Sequence, residues 1–258
     1  MKQLFFLFVI VWLPVGAQTS VTLSNKHSTP LEADVLIGVN KFDGIYYVTN
    51  NTFYKKTNQN TVNYSNFQLG SIASASVFNP LKLLLFFKNF NAVVLLDNRL
   101  SEILRIDFNT VQPYINSQFV SLGNDNTLWV FNLDNQQLTL YDYRIKTTRA
   151  TTLPVASSVL DLTSNYNNAW LLTENYIYKY TYFGSMLYKI PNTGFSAMAL
   201  YQDNLILQKT NELFFLNDAT HTITPINLPN LLINQFLVTG ETLYIYDSKM
   251  LHEFQLKK

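Results

Sequence analysis

No cysteine occurs in the 258 residues. That removes disulfide scaffolds, thiolate nucleophiles and cysteine-ligated zinc or iron–sulfur sites together. Histidine is nearly as scarce: His27, His221 and His252 are the whole complement, and no two share metal-ligand spacing. Charge is thin, with 18 Lys and Arg against 17 Asp and Glu, a net of +1. So even a balance leaves no electrostatic footprint for nucleic acid or an anionic lipid surface. With only 8 glycines, the chain holds no phosphate-binding P-loop and no G-x-S-x-G nucleophile elbow. Beyond the N-terminus, no apolar run approaches the ~20 residues that a membrane-spanning helix needs.

That N-terminus has a pattern of its own. Lys2 supplies a positive start, Leu4–Leu13 an uncharged apolar run of about ten residues, and Val15-Gly16-Ala17 small residues before a cleavage point. These are the parts of a secretory signal peptide, too short to act as an anchor. Residues 1–17 are therefore expected to be removed, leaving one domain over 18–258. Export without disulfides points to a bacterial envelope, with the protein in the periplasm or at the outer membrane. Without a cysteine to acylate there is no lipid anchor, and direct membrane insertion is not expected, so any membrane association runs through a partner.

Aromatic residues make up 15 % of the chain, and asparagine recurs between the apolar runs. The clearest case is Thr127–Tyr143, TLWVFNLDNQQLTLYDY, in which two apolar runs flank the polar turn Leu133–Gln136. It reads as a β-hairpin. Weaker copies recur every 36–45 residues, with second strands beginning at Ile45, Leu83, Leu128, Ala169, Leu205 and Leu243. A third strand follows each, at Phe53, Val93, Leu138, Ile177, Leu213 and Leu251. Shorter first strands precede them: Val35–Val39, Ile72–Phe78, Ile115–Leu122, Ser158–Thr163, Phe195–Tyr201 and Ile233–Val238. Several carry small residues, as suits strands converging on an axis.

More polar fourth strands complete five units: Thr61–Asn66, Glu102–Phe108, Thr147–Leu153, Met186–Pro191 and Thr222–Leu228. Pro191 and Pro225 mark two of them as edges. The sixth unit runs out before its fourth strand, while Val21–Asn25 alternates apolar and polar with no unit of its own. The expectation is an all-β fold, a single six-bladed β-propeller of four-stranded antiparallel blades, closed by the N-terminal strand beside Met250–Leu256. The blades are placed at 34–67, 71–109, 114–153, 157–191, 195–228 and 232–258, the last completed by 20–26.

In this arrangement the units resemble the repeats of secreted bacterial six-bladed propellers, WD40-like or YVTN-like in the broad sense. The resemblance covers nearly all of the chain after the leader and implies a fold rather than an activity. Tyr141-Asp142 and Leu96-Asp97 stand where a WD40 unit would end in Trp-Asp. The upstream Gly-His pair, the kelch double glycine and the sialidase box are all absent. No site residues are carried over.

Carboxylates recur at turns, at Asp97, Asp142 and Asp218 after third strands and at Asp125, Asp134 and Asp203 elsewhere, where Asx turns account for them. Only Asp34 and Asp161 fall on channel-lining strands, so a glycosidase pair is not indicated. Gly123–Asn126 is too short for a calcium loop. Trp129 and Trp170 hold equivalent positions and are expected to pack between blades, as are Phe214 and Tyr244. No metal, cofactor or catalytic set is expected. A protein-binding surface is sought instead in loops that open on one face: Lys88 and Phe90, Tyr114, Phe195, and the apolar Leu231 and Leu232. The function expected is that of a non-enzymatic scaffold binding a protein partner in an envelope or outer-membrane transport or assembly complex. The alternative is a carbohydrate-binding lectin or a carbohydrate-active propeller enzyme.

Overall fold

The computed structural model describes residues 21–40 and 44–257. The expected signal peptide and the Lys41–Asp43 part of the first turn lie outside these. The described residues form six four-stranded antiparallel sheets, arranged as the blades of a propeller. From the inside outward, blade 1 comprises Val35–Val39, Ile45–Thr49, Thr52–Lys56 and Thr61–Tyr64. Blade 2 comprises Ser74–Asn79, Lys82–Phe87, Ala92–Leu96 and Glu102–Asp107. Blade 3 comprises Ser117–Leu122, Thr127–Asn132, Gln137–Asp142 and Thr147–Thr151. Blade 4 comprises Val159–Ser164, Asn168–Thr173, Tyr176–Thr181 and Met186–Pro191. Blade 5 comprises Ala197–Tyr201, Asn204–Lys209, Glu212–Leu216 and Ile223–Ile226.

Blade 6 takes Gln235–Thr239, Thr242–Tyr246 and Met250–Lys257 from the C-terminal end and Thr22–Pro30 from the N-terminal end. The closing strand is longer than the Val21–Asn25 expected. Its register against the last strand slips between Asn25 and His27, so apolar–polar alternation stops at the bulge while pairing continues to Pro30. His27 accordingly lies within the strand rather than in a connection.

Strand alternation explains the core. A central strand of a blade is buried on both faces, so it reads as a continuous apolar run, as in Lys82–Phe87. There Leu83, Leu85 and Phe87 turn toward blade 1, while Leu84 and Phe86 turn toward blade 3. Six such clusters fill the six junctions. Trp129 packs between blades 3 and 4 and Trp170 between blades 4 and 5. At the axis the inner strands of blades 1 and 2 approach so closely that a Cβ at Gly38 would clash with the Val77 side chain.

Second strands begin within one residue of the sequence expectation, but four inner strands start two residues late. Ile72, Ile115, Phe195 and Ile233 precede their strands instead of opening them. The reason is a clamp. In blade 1, Asn51 Nδ2 donates to the Gly70 carbonyl at 2.7 Å and Asn51 Oδ1 accepts Ile72 N–H at 2.8 Å. Asn91 does the same in blade 2 with the Ile115 carbonyl, 2.7 Å, and Ser117 N–H, 3.0 Å. Asn211 repeats it in blade 5 with the Leu231 carbonyl, 2.8 Å, and Ile233 N–H, 2.7 Å. One amide side chain thus holds each connection in place of a strand ladder.

Candidate functional site

Because consecutive strands run antiparallel, the second-to-third turns and the blade-to-blade connections open on one face, here the upper face. The other turns open on the lower face. The upper face carries an arc of exposed apolar side chains, one from each successive loop. In ring order these are Phe67 (76 % exposed), Phe90 (47 %), Tyr114 (48 %), Leu133 (40 %) and Leu153 (81 %). They span the sector from the blade 1–2 connection to the blade 3–4 connection. The clamps position them. Asn91 sits between Phe90 and the Ala92–Leu96 strand at φ 52°, and the carbonyl that it holds belongs to Ile115, next to Tyr114. Asn109 Nδ2 also donates to the Phe90 carbonyl at 3.0 Å. Gly70, the other end of the Asn51 clamp, lies under the Phe90 ring, where a Cβ would come within 3.3 Å of it.

The six residues singled out from sequence separate into three groups. Lys88, Phe90 and Tyr114 lie exposed on the arc. Leu232 is exposed but belongs to the blade 5–6 connection, apart from the arc. Phe195 and Leu231 are corrected by the structure. Phe195 is 3 % exposed and packs edge-on against Phe214 with ring centroids 5.4 Å apart, because Asn192 pulls its connection down onto blade 4. Asn192 Oδ1 accepts Phe195 N–H at 2.7 Å, and its Nδ2 donates to the Thr173 and Phe195 carbonyls. Leu231 is half-buried against the blade 5–6 core. Phe67, Leu133 and Leu153 carry no sequence signal of their own, because isolated apolar residues in polar loops have no periodicity.

At the end of the arc, between blades 3 and 4, a cleft of about 620 Å³ opens on the same face. Leu133 and Gln136 form one wall, Glu174 and Asn175 the other. The Val155–Ser158 connection is the floor, and Gln118 stands on the channel side. Backbone bonds tie both walls to the floor: Val155 N–H donates to the Gln136 carbonyl at 2.8 Å and Glu174 N–H to the Ser158 carbonyl at 3.0 Å. Its lining contains no aromatic ring. A second cleft, of about 600 Å³, lies on the lower face against Tyr201, Gln202, Glu241 and the C-terminal strand.

Titratable groups cluster at three other places. Asp161 lies on the inner strand of blade 4 and bridges to blade 5, accepting Leu162 and Met198 N–H, both at 2.8 Å. Enclosure raises its carboxyl to about 6, against the opposing effect of those two N–H groups. Asp34 belongs to blade 1, opposite in the ring, and accepts Asn50 N–H, so the two channel carboxylates make no pair. Asp97 and Asp142 close Asx turns as expected. Asp218 does not, because Asn217 makes that turn. Asp218 accepts instead from Lys179 Nζ at 2.6 Å and Tyr188 OH at 2.9 Å, at the junction of blades 4 and 5. Burial first, and then Asp218, push the Tyr188 phenol up.

The third place is the ring closure, where Ser28 Oγ and His252 Nδ1 lie 2.9 Å apart and His252 Nε2 lies 2.9 Å from Asp247 Oδ2. The residue types are those of a hydrolase triad, but neither cleft is lined by any of them. The other Asp247 oxygen is occupied by Lys249 and Met250 N–H. The set therefore fastens the closing strand, the last strand and the turn before it. Burial works to raise the Asp247 carboxyl, but the His252 ring and those two N–H groups outweigh it and hold it at about 2. A depressed carboxyl contributes stability that is present above its unfolded pKa of about 4 and is lost as pH falls through the folded value. Asp247→Asn should therefore unfold at lower urea than wild type at pH 7, with the gap closing between about pH 4 and 2. A gap independent of pH in that window would refute this assignment. Among the described residues, no group of three or more His, Asp or Glu side chains is placed to hold a metal ion. Likewise, no helix among them is long and apolar enough to cross a membrane.

No family profile and no curated protein matches the chain. Solved structures do match it in shape. A catalytically inactive virginiamycin B lyase from Staphylococcus aureus, crystallised with quinupristin, superposes with a TM-score of 0.62 at 15 % identity, over 86 % of this chain and 80 % of that one. The chain is a β-propeller. The WD40 domain of Neurospora crassa Pan2 superposes at 0.58 with 8 % identity, covering 82 % and 72 %. BamB from Moraxella catarrhalis superposes at 0.50 with 13 % identity, covering 83 % and 70 %. At such identities the likeness is one of fold, and the propeller's function has to be argued from its own surface.

Proposed function

We propose that this propeller is an exported, non-enzymatic scaffold that binds a protein partner in a bacterial cell-envelope assembly through its upper face. The observation carrying this reading is the arc from Phe67 to Leu153. Five large apolar side chains are held in solvent by connections that amide clamps and backbone bonds keep rigid. Large apolar side chains kept exposed on rigid loops supply anchors for protein-interaction sites, and aromatic anchors dominate binding at such sites. Export to the envelope follows from the leader-like Met1–Ala17. The lectin alternative has the polar cleft in its favour, but that cleft lacks the aromatic platform on which a sugar ring would stack.

The test is a native pull-down from detergent-solubilised envelopes of the producing cell, with the chain expressed from its own leader. Wild type should recover a stoichiometric partner. The double substitution Phe90→Ala and Tyr114→Ala should reduce that recovery about tenfold or more. It should move Tm by only about 2 °C, because both rings are half-exposed. No stoichiometric partner, or undiminished recovery by the double variant, would overturn the reading.

A further inference from the structure

We infer that the cleft between blades 3 and 4 receives an arginine side chain from an extended segment of the partner protein. This rests on the scaffold reading above and specifies the chemistry of the partner. The first ground is charge. The upper-face loops of blades 3 and 4 contain Asp134 and Glu174 and no Lys or Arg. Asp134 is engaged by Asn116 Nδ2 at 2.8 Å. The carboxylate of Glu174, by contrast, takes no hydrogen bond or ion pair among the described residues. Lys209 reaches this sector from blade 5, but its ammonium is held on the Thr193 carbonyl at 2.7 Å.

The second ground is the match of donors to acceptors. Gln118 and Asn175 line the same cleft, and neither side-chain amide has a partner among the described residues. A carboxylate and two amide oxygens on the lining of one cleft are an acceptor set that a guanidinium satisfies, with its five donors in a planar fork. An ammonium would fill it only as a point charge. Third, Leu133 and Ala156 supply exposed apolar surface on which the methylene stem of the arginine can lie. Fourth, the backbone bonds from Gln136 to Val155 and from Ser158 to Glu174 keep the walls in place before anything binds, which lowers the entropic cost of binding. The cleft adjoins Leu133 of the apolar arc, so a partner anchored on Phe90 and Tyr114 can lay a strand across it.

The test is an amide NMR titration of the full domain with acetyl-Gly-Arg-Gly-amide at millimolar concentration, beside the same peptide carrying citrulline, which keeps the shape and loses the charge. The arginine peptide should shift the amides of Gln118, Ser158, Glu174 and Asn175 saturably. Citrulline in the peptide, or Glu174→Gln in the protein, should weaken binding by about tenfold. Shifts confined elsewhere, or an equal response to both peptides, would overturn the inference. The pull-down separates the two readings. A partner recovered equally by wild type and Glu174→Gln, but lost with Phe90→Ala and Tyr114→Ala, overturns the cleft assignment and leaves the scaffold standing. An arginine-selective cleft in a chain that recovers no partner overturns the scaffold alone.

Discussion

Replacing Asp218 by Ala should cost about 3 kcal/mol of stability, because it strands a cation inside the junction of blades 4 and 5. The Lys179 side chain is 7 % exposed and that of Asp218 24 %. The Lys179 ammonium lies 5.0 Å from the Trp170 ring centroid and 5.8 Å from that of Tyr188. These rings favour a cation but cannot replace its counter-ion. Removing the carboxylate also deprives Tyr188 OH of its acceptor. In a domain of this size the loss corresponds to roughly 6–12 °C in Tm. The partial exposure of Asp218 keeps the figure at the lower end for a broken buried pair. The double replacement Lys179→Met with Asp218→Asn should recover most of the loss, since it removes the stranded charge and keeps an acceptor for Tyr188. Urea midpoints for the single and double variants decide this. A single variant within about 1 kcal/mol of wild type would mean that the pair behaves as a solvent-screened surface contact.

Asn91→Ala should cost about as much, by a different route. The Asn91 side chain is buried, donates to the Ile115 carbonyl, and accepts from Ser117 through both N–H and Oγ. Its loss leaves buried polar groups unsatisfied, at about 1–3 kcal/mol. Alanine also resists the left-handed backbone at this position, at about 1 kcal/mol. Asn91→Gly, which accepts that backbone freely, should recover only the second part. Because Phe90 and Tyr114 are both placed through this clamp, Asn91→Gly should also weaken partner recovery in the pull-down. An Asn91→Gly protein as stable as wild type would show that the clamp contributes nothing beyond a turn.

The two residues differ in how far sequence could read them. Asn91 is one of the asparagines that recur between apolar runs, where turn chemistry is enough to account for the residue type. Its second role depends on Ile115 and Ser117, which lie beyond an intervening outer strand. Asp218 looked like Asp97 and Asp142, each following a third strand, yet its neighbour Asn217 makes the turn. What engages Asp218 instead is Lys179, one blade away in the ring. The sequence places Phe195 and Leu231 in loops, and for the same reason cannot show that Asn192 and Asn211 draw their connections down onto the blades, burying Phe195 and half-burying Leu231.

What sequence determined by itself was the propeller: six units, strand positions close to those observed, inter-blade roles for Trp129 and Trp170, and closure by the N-terminal strand. All of this follows from local rules, a two-residue side-chain period and turn residues between runs, repeated until the count was unambiguous. Tertiary structure alone decided which asparagines are clamps, which aspartate is an ion-pair partner, and which loop residues reach solvent. It also brought the arc and the cleft between blades 3 and 4 together on one face. Those outcomes depend on neighbours that only ring closure creates. A side chain in one blade meets a backbone or a charge about one repeat later, and no local pattern records that meeting.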